Sequence, residues 1–388
     1  MNHKNDKKPK TDLYYLIWII IGGALGFFFV EFYTILGYPL ENFTVAEFAI
    51  MVIILLLTFF LQIFLHEFGH LLFGLLSGYH FLSFRFFDIM LVKQNQKLVF
   101  RKLHIDSTAG QCLMIPPEPK NGEIPATLYN MGGVIMNLVS SFIGVIFLYK
   151  YFDDSFLSLW LFSFIVIGIV LALTNGIPIV SSTVVNDGTN ALALQNNPAA
   201  NRAFYLQMKM NVLQTNGITY REMPEEWFVL PDDSDMDNGL ISTLAVYACS
   251  RMMEEKKFDE FIDTLNHYRS INCAFNAIHL QLMECDRLYI GILRGVTQDE
   301  TDAQLSKAIK KTLKAMKSYP SVLRFQYTYH LFYDLDSAKA ESIRRKFDII
   351  SRNYPYEGEI RVEKELMELA EETVKKCRNQ RKNEEEKS

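Results

Sequence analysis

Apolar residues crowd the first half of the chain into four runs, at about 13–33, 45–78, 126–149 and 156–180. Each reaches the ~20 residues that a helix needs to cross a bilayer, and the second exceeds it, so it should tilt or extend beyond the lipid. Between the second and third runs lies a polar stretch, 79–125. Its alternation around 81–87 and 97–103 predicts a short β-hairpin near the membrane surface. From Asn190 onward charged residues return and apolar positions recur at helical spacing. The pattern predicts an all-α polytopic membrane protein. It would have four transmembrane helices and a small β-hairpin, followed by a helical, repeat-like domain.

The organisation follows. Residues 1–12 carry Lys4, Lys7, Lys8 and Lys10 and read as a disordered basic leader. Residues 13–195 form the membrane domain, 196–374 a soluble helical domain, and 375–388 a charged, disordered tail. The first run is longer than a signal-peptide core, and no clean small-x-small site follows it, so it reads as a retained span. The basic leader, and the excess of Arg85, Lys93, Lys97, Arg101, Lys102 and Lys120 after the second span, both belong on the cytoplasmic side. Residues 37–43 and the turn Asp153-Asp154 then lie outside. Four crossings return the chain to the cytoplasm, so both termini are cytoplasmic.

Composition narrows the chemistry. A net charge of −5 gives no reason to expect a nucleic-acid partner. Cys112, Cys249, Cys273, Cys285 and Cys377 are odd in number and never form a C-x-x-C pair, which reads as reduced thiols.

One stretch does carry chemistry, His66-Glu67-Phe68-Gly69-His70. Four residues of helix put both imidazoles on one face, about 6 Å apart along the axis, where they can share a metal ion. Glu67 beside them can take a proton from an activated water, which is the H-E-x-x-H zinc-hydrolase pattern. From Thr44 to Tyr79 the only other ionisable side chains are Glu47 and Tyr79. Ionisable groups within a span are costly and default to function. A catalytic zinc wants a third protein ligand. The best candidate is Asp187 in Asn186-Asp187-Gly188, just past the fourth span on the same side as the histidines. Before it, Asn175-Gly176-Ile177-Pro178 should break that span near its cytoplasmic end.

H-E-F-G-H on an early span, with N-x-x-P and then D-G on a later one, resembles the site-2 protease family of intramembrane zinc metalloproteases. Met131-Gly132-Gly133-Val134-Ile135-Met136-Asn137 is similar to the G-x-x-x-N segment of that family's middle core helix. The resemblance covers about residues 44–195. It implies a three-helix core made of the second to fourth spans and one zinc ion on His66, His70 and Asp187, with Glu67 activating water. It places Asn137 and Asn175 near the substrate strand or the developing oxyanion. The twelve residues from Asn175 to Asp187 exceed the compact N-P-x-x-x-L-D-G form and are similar to shorter bacterial members. No PDZ insertion is present. The partners implied are the lipid bilayer and a membrane-inserted peptide or protein, cut near the cytoplasmic face, with the hairpin able to receive a substrate strand by edge pairing.

Plainer roles stand beside these. Asp187 can be the N-cap of a helix starting near Gly188, Asn137 and Asn175 can be interhelical glue, and Gly132-Gly133 can serve close packing. His80 and His104 read as spare imidazoles, and nothing supports a catalytic Cys112. The rival to an enzyme is a non-catalytic scaffold or peptide-binding protein that keeps the protease fold, although the intact Glu67 argues against it.

In the second half, helices are expected at 189–214, 238–255, 258–270, 274–293, 302–318, 321–334, 337–352 and 357–378. Thr301-Asp302-Ala303-Gln304 has the form of a capping box, and 223–238 reads as an acidic linker. Helices paired by short turns are weakly similar to tetratricopeptide repeats, without a clean 34-residue period. Such an array is either a globular helical domain with no separate activity or one that recruits a partner peptide or protein.

Overall fold

The computed structural model describes Gly23, Gly26 and residues 30–36, 44–105, 108–152, 155–178, 186–334 and 338–385. The leader, most of the first expected span and both expected outer turns lie outside the described residues. Among those described, three helices are long and apolar enough to cross a membrane. They are α1 (Val45–Leu76), α3 (Gly132–Lys150) and, within α4 (Ser155–Gly176), Phe156–Gly176. The chain divides into two compact units, residues up to Gly69 with Gly133–Thr174, and His70–Gly132 with the remainder from Asn175. Helix α1 is continuous through the first boundary.

In the first unit the apolar side chains point outward. Phe48, Ile53, Leu57 and Phe64 of α1 and Phe142 and Ile146 of α3 are exposed, as lipid-facing residues are. The interior joins buried apolar side chains such as Ile54, Leu161 and Phe164 to a set of polar and small groups. Gln62, Asn137, Ser140 and Ser141 are buried, and glycines bring the backbones close. A Cβ on Gly168 would sit 2.2 Å from Ser141 Oγ and 2.7 Å from Gln62 Nε2. Helices in lipid associate through this combination of small residues and polar bonds. Residues 30–35 are helical, and Phe32 stacks on Phe162 with centroids 4.0 Å apart.

In the second unit, α1 ends where Gly78 adopts a left-handed φ of 84° and the Tyr79 amide bonds back to the Gly74 carbonyl. The chain then builds more than the expected hairpin, namely an antiparallel sheet of β1 (His80–Phe86), β2 (Ile89–Gln94), β3 (Lys97–Lys102) and β4 (Gly110–Ile115), ordered β3-β2-β1-β4. The two stretches expected to pair are not neighbours, because β2 lies between them. Asn95-Gln96, both at positive φ, form the two-residue turn from β2 to β3. Arg85, counted above among the surface cations, is 1% exposed and donates to the carbonyls of Phe87, Thr108 and Gly110. It is a clip across the loop before β4.

The helical part departs from expectation in six places. The helix expected at 189–214 is two, α5 (Asp187–Leu194) and α6 (Pro198–Thr215), because Asn197 caps a new helix with Pro198 in its first turn. The expected acidic linker is a packed strap of 3₁₀ turns whose Met223, Phe228 and Met236 are buried. After α7 (Gly239–Glu254), α8 (Phe258–Ser270) and α9 (Ala277–Leu293), the helix expected at 302–318 is again two, α10 (Gln298–Gln304) and α11 (Lys307–Ala315). The capping box is Thr297 with Glu300, whereas Thr301 lies buried inside α10 with its hydroxyl on Tyr333. Helices α12 (Pro320–Tyr333) and α13 (Ala338–Ser351) precede α14, Glu357–Glu385. This last helix runs through the expected disordered tail, since Glu, Lys and Arg are good helix formers that can prolong a packed helix. It also packs against α6, α9 and α12, whereas a solenoid repeat touches only its neighbours.

Candidate metal centre

His66 and His70 lie on successive turns of α1, each 8% exposed. His66 Nδ1 is 2.7 Å from Asn137 Oδ1. The Asn137 amide points one way only, because its Nδ2 donates to the Gln62 backbone carbonyl at 3.0 Å, a group that only accepts. Its oxygen therefore faces His66, so His66 Nδ1 carries the proton and Nε2 holds a lone pair. The chain of bonds continues from Asn137 Nδ2 to Gln62 Oε1 at 2.8 Å and from Gln62 Nε2 to the Phe164 carbonyl at 2.9 Å. Gly133 makes room for the ring, since a Cβ there would lie 2.5 Å from His66 Cε1 and Nε2.

His70 is fixed in the same tautomer by different means. Its Nδ1 donates to the Tyr129 carbonyl at 2.9 Å, again leaving Nε2 as the lone-pair nitrogen. Tyr129, in the short helix α2 (Ala126–Asn130), is itself held by a hydroxyl bond to the Cys112 carbonyl (2.8 Å) and by stacking on Tyr79. Cys112 thus contributes its backbone, and its thiol is buried.

Helix α4 ends at Gly176, as the Asn175–Pro178 sequence predicts. The N-cap of α5 is Asn186, not Asp187, and Asn186 Oδ1 accepts from the Thr189 amide at 3.0 Å. Asn186 Nδ2 also donates to the Ile177 carbonyl at 2.6 Å. Gly188 lets the start of α5 approach the end of α4, because a Cβ there would lie 2.1 Å from the Gly176 carbonyl oxygen. Asp187 is thereby placed with Oδ2 3.4 Å from His70 Nε2.

Within the second unit, then, His70 meets Asp187, and the continuous turn of α1 adds His66. One ligand atom from each of the three lies within 4.8 Å of the others. Two imidazole lone pairs and a carboxylate are a donor set that suits zinc. Two ligands on a tetrahedral zinc at ~2.0–2.1 Å stand about 3.4 Å apart, which matches His70 and Asp187. The imidazoles' second nitrogens bond to an amide oxygen and a carbonyl, the outer-shell arrangement that metal-binding histidines usually have.

Glu67 is 8% exposed, and on a regular helix it lies about 100° round from His66 and 60° from His70. Asn137 is 0% exposed, with both ends of its amide engaged on α1. Asn175 stands half-buried in the last turn of α4. His80 and His104 are exposed, and His104 pairs with Asp88 at 2.7 Å. The sequence pointed to Gly133 as a close-packing residue, as found, but not to Gln62, the Tyr129 carbonyl, the capping role of Asn186 or the fit of Gly188. Gln62 had a readable signal, a lone amide four residues before His66 on the same helix face. Comparison with protein-family models, with curated proteins and with solved structures gives no match to this chain.

Proposed function

We propose that this protein is an intramembrane zinc metalloendopeptidase. One zinc ion would be held by His66, His70 and Asp187, and the substrate would be a membrane-inserted peptide or protein cut near the cytoplasmic face. The observation that carries this reading is the convergence of two imidazole lone pairs and a carboxylate beside Glu67, in a helix otherwise apolar from Val45 to Leu65 apart from Glu47, Thr58 and Gln62. Zinc, when bound, supplies a Lewis acid that lowers the pKa of water towards ~7 and polarises a carbonyl.

The chain's own groups do the rest. Glu67 accepts the proton of the attacking water on its carboxylate and returns it to the leaving amine. Asn137 and the Tyr129 carbonyl keep both Nδ1 atoms protonated, so that neither Nε2 is lost to the wrong tautomer. Asn137 acts in this reading as a positioning residue for His66. Asn175, at the broken end of α4, stays the candidate for substrate contact. Four spans with both termini in the cytoplasm of a bacterial cell membrane complete the reading, and the helical domain would receive a protein partner.

The test is metal content and hydrolysis together. Purified protein should hold about one zinc per chain, His66→Ala should hold far less, and Glu67→Gln should keep its zinc but stop cleaving membrane peptides. Equal zinc in wild type and His66→Ala would instead favour the non-catalytic scaffold.

A further inference from the structure

The helical domain encloses a cavity of about 290 Å³ that the metal centre does not use. It lies among α6, α7, α9, α12 and α14, and its size is at the lower end for a small-molecule site. Tyrosines form much of the wall, including Tyr220, Tyr247, Tyr354 and Tyr356. Its ionisable lining is lopsided, with the carboxyls of Glu254, Asp286, Glu359 and Glu363 against the single guanidinium of Arg324. His279 adds no cation, because burial lowers its pKa.

Arg324 is already spent on two of those carboxyls. Its Nε donates to Glu363 at 2.5 Å and its Nη2 to Asp286. That leaves Glu254 and Glu359 without a full ionic partner of their own. Glu254 takes the Arg221 backbone amide at 2.8 Å, and Glu359 takes the Tyr354 hydroxyl at 2.9 Å. Four lining side-chain atoms also lack a hydrogen-bond partner among the described residues, namely Gln214 Nε2 and Oε1, Arg324 Nη1 and His279 Nδ1. Gln214 is 4% exposed and Arg324 1%. Buried polar atoms in native proteins are nearly always bonded to protein, water or ligand, so this set marks a place where something polar sits.

We propose that the cavity binds a small organic cation, an amine or quaternary ammonium that also carries a hydroxyl or carbonyl. Aromatic faces attract such cations, most strongly when water is excluded, and Glu254 and Glu359 supply the counter-charge by releasing their protons to solvent as the cation enters. Arg324 Nη1 and the Gln214 amide meet the neutral polar end. An anion would find the guanidinium already neutralised and the carboxyls repelling it. Burial also pushes Glu254 up to about 7 and Glu359 up to about 8, the direction expected of carboxyls that lack their cation. The inference does not depend on the metal centre.

The experiment is calorimetric titration of the full-length protein in lipid nanodiscs with choline and with ethanolamine. Succinate and sodium chloride at matched ionic strength serve as controls. At least one of the two amines should bind with a dissociation constant at or below about 1 mM. The controls should not bind, and His66→Ala should bind the amine as well as wild type. Glu359→Gln and Gln214→Leu should each weaken binding by about tenfold, the loss of one charged or polar contact. Absence of binding by both amines, equal heats from sodium chloride, binding of succinate, or affinity unchanged in both variants would each overturn the proposal. The ranking of the probes on wild-type protein decides the matter if a variant fails to fold.

Discussion

The two units bury polar groups in opposite ways. In the first, everything polar behind His66 is neutral, and the amides of Gln62 and Asn137 are aimed at carbonyls or at each other. In the second, the helical domain buries full charges, Arg324 between Asp286 and Glu363, around a cavity where other polar atoms lack partners. In lipid an unbonded polar group costs several kcal/mol, so a membrane interior favours closed neutral chains. A domain in water can reach the same packing with ions, at a larger desolvation cost that only well-placed partners offset. The first arrangement fixes one tautomer. The second leaves unmet demand that a ligand can fill.

Five variants and one titration break or sharpen this contrast. The largest effect should come from Gly133→Val, which drives a side chain into the His66 ring; bound zinc measured by mass spectrometry should fall to near zero while far-UV helicity persists. Arg324→Met should follow, because it strands two buried carboxyls and should cost ~3–5 kcal/mol. Replacing Arg324, Asp286 and Glu363 together by apolar residues should recover most of that stability, as chemical denaturation would show. Asn137→Leu should leave the protein folded but weaken zinc binding by about 10–100-fold, the usual effect of losing an outer-shell partner; competition with a chelator measures it.

The pH effect reports on the helical domain alone. Glu254 and Glu359 stay protonated in the fold up to about 7 and about 8, but ionise near 4.5 once unfolded. Stability should therefore fall as pH rises from about 5 to 8 and level off above, read as a falling Tm across that window. Glu222 and Glu365 are shifted down by their partners, so their contribution is lost only as pH falls below the ordinary carboxylate range. A Tm that rises across pH 5–8 would contradict the assignment. Thr297→Ala should cost about 1 kcal/mol as a lost helix cap, whereas the same change at Thr301 acts through its bond to Tyr333.

Much of this was legible in the chain. His66 and His70 needed only helical spacing, and the end of α4 needed only Asn175-Gly176-Ile177-Pro178. Asp187 was nameable because it follows that break, but its approach to His70 depends on Gly188 fitting against the Gly176 carbonyl, a tertiary fact. The Tyr129 carbonyl was unreadable because backbone groups leave no mark in sequence. The sheet was undercounted because alternation singled out β1 and β3, whereas β2 and β4 are partners that only register reveals. Both Thr297-x-x-Glu300 and Thr301-x-x-Gln304 suit a helix start, and burial of Thr301 decides between them. Pattern locates a ligand; packing aims it.

Tyr129 carries a consequence of its own. Its carbonyl steers His70, its hydroxyl rests on the Cys112 carbonyl in β4, and its ring lies on Tyr79 just ahead of β1. A sheet with no ligand of its own is thus a jig for an imidazole on a neighbouring helix. Anything that slid β4 along β1 would turn His70 without touching it, and under the proposed function a substrate laid against this sheet would act on that imidazole through the same rigid handle.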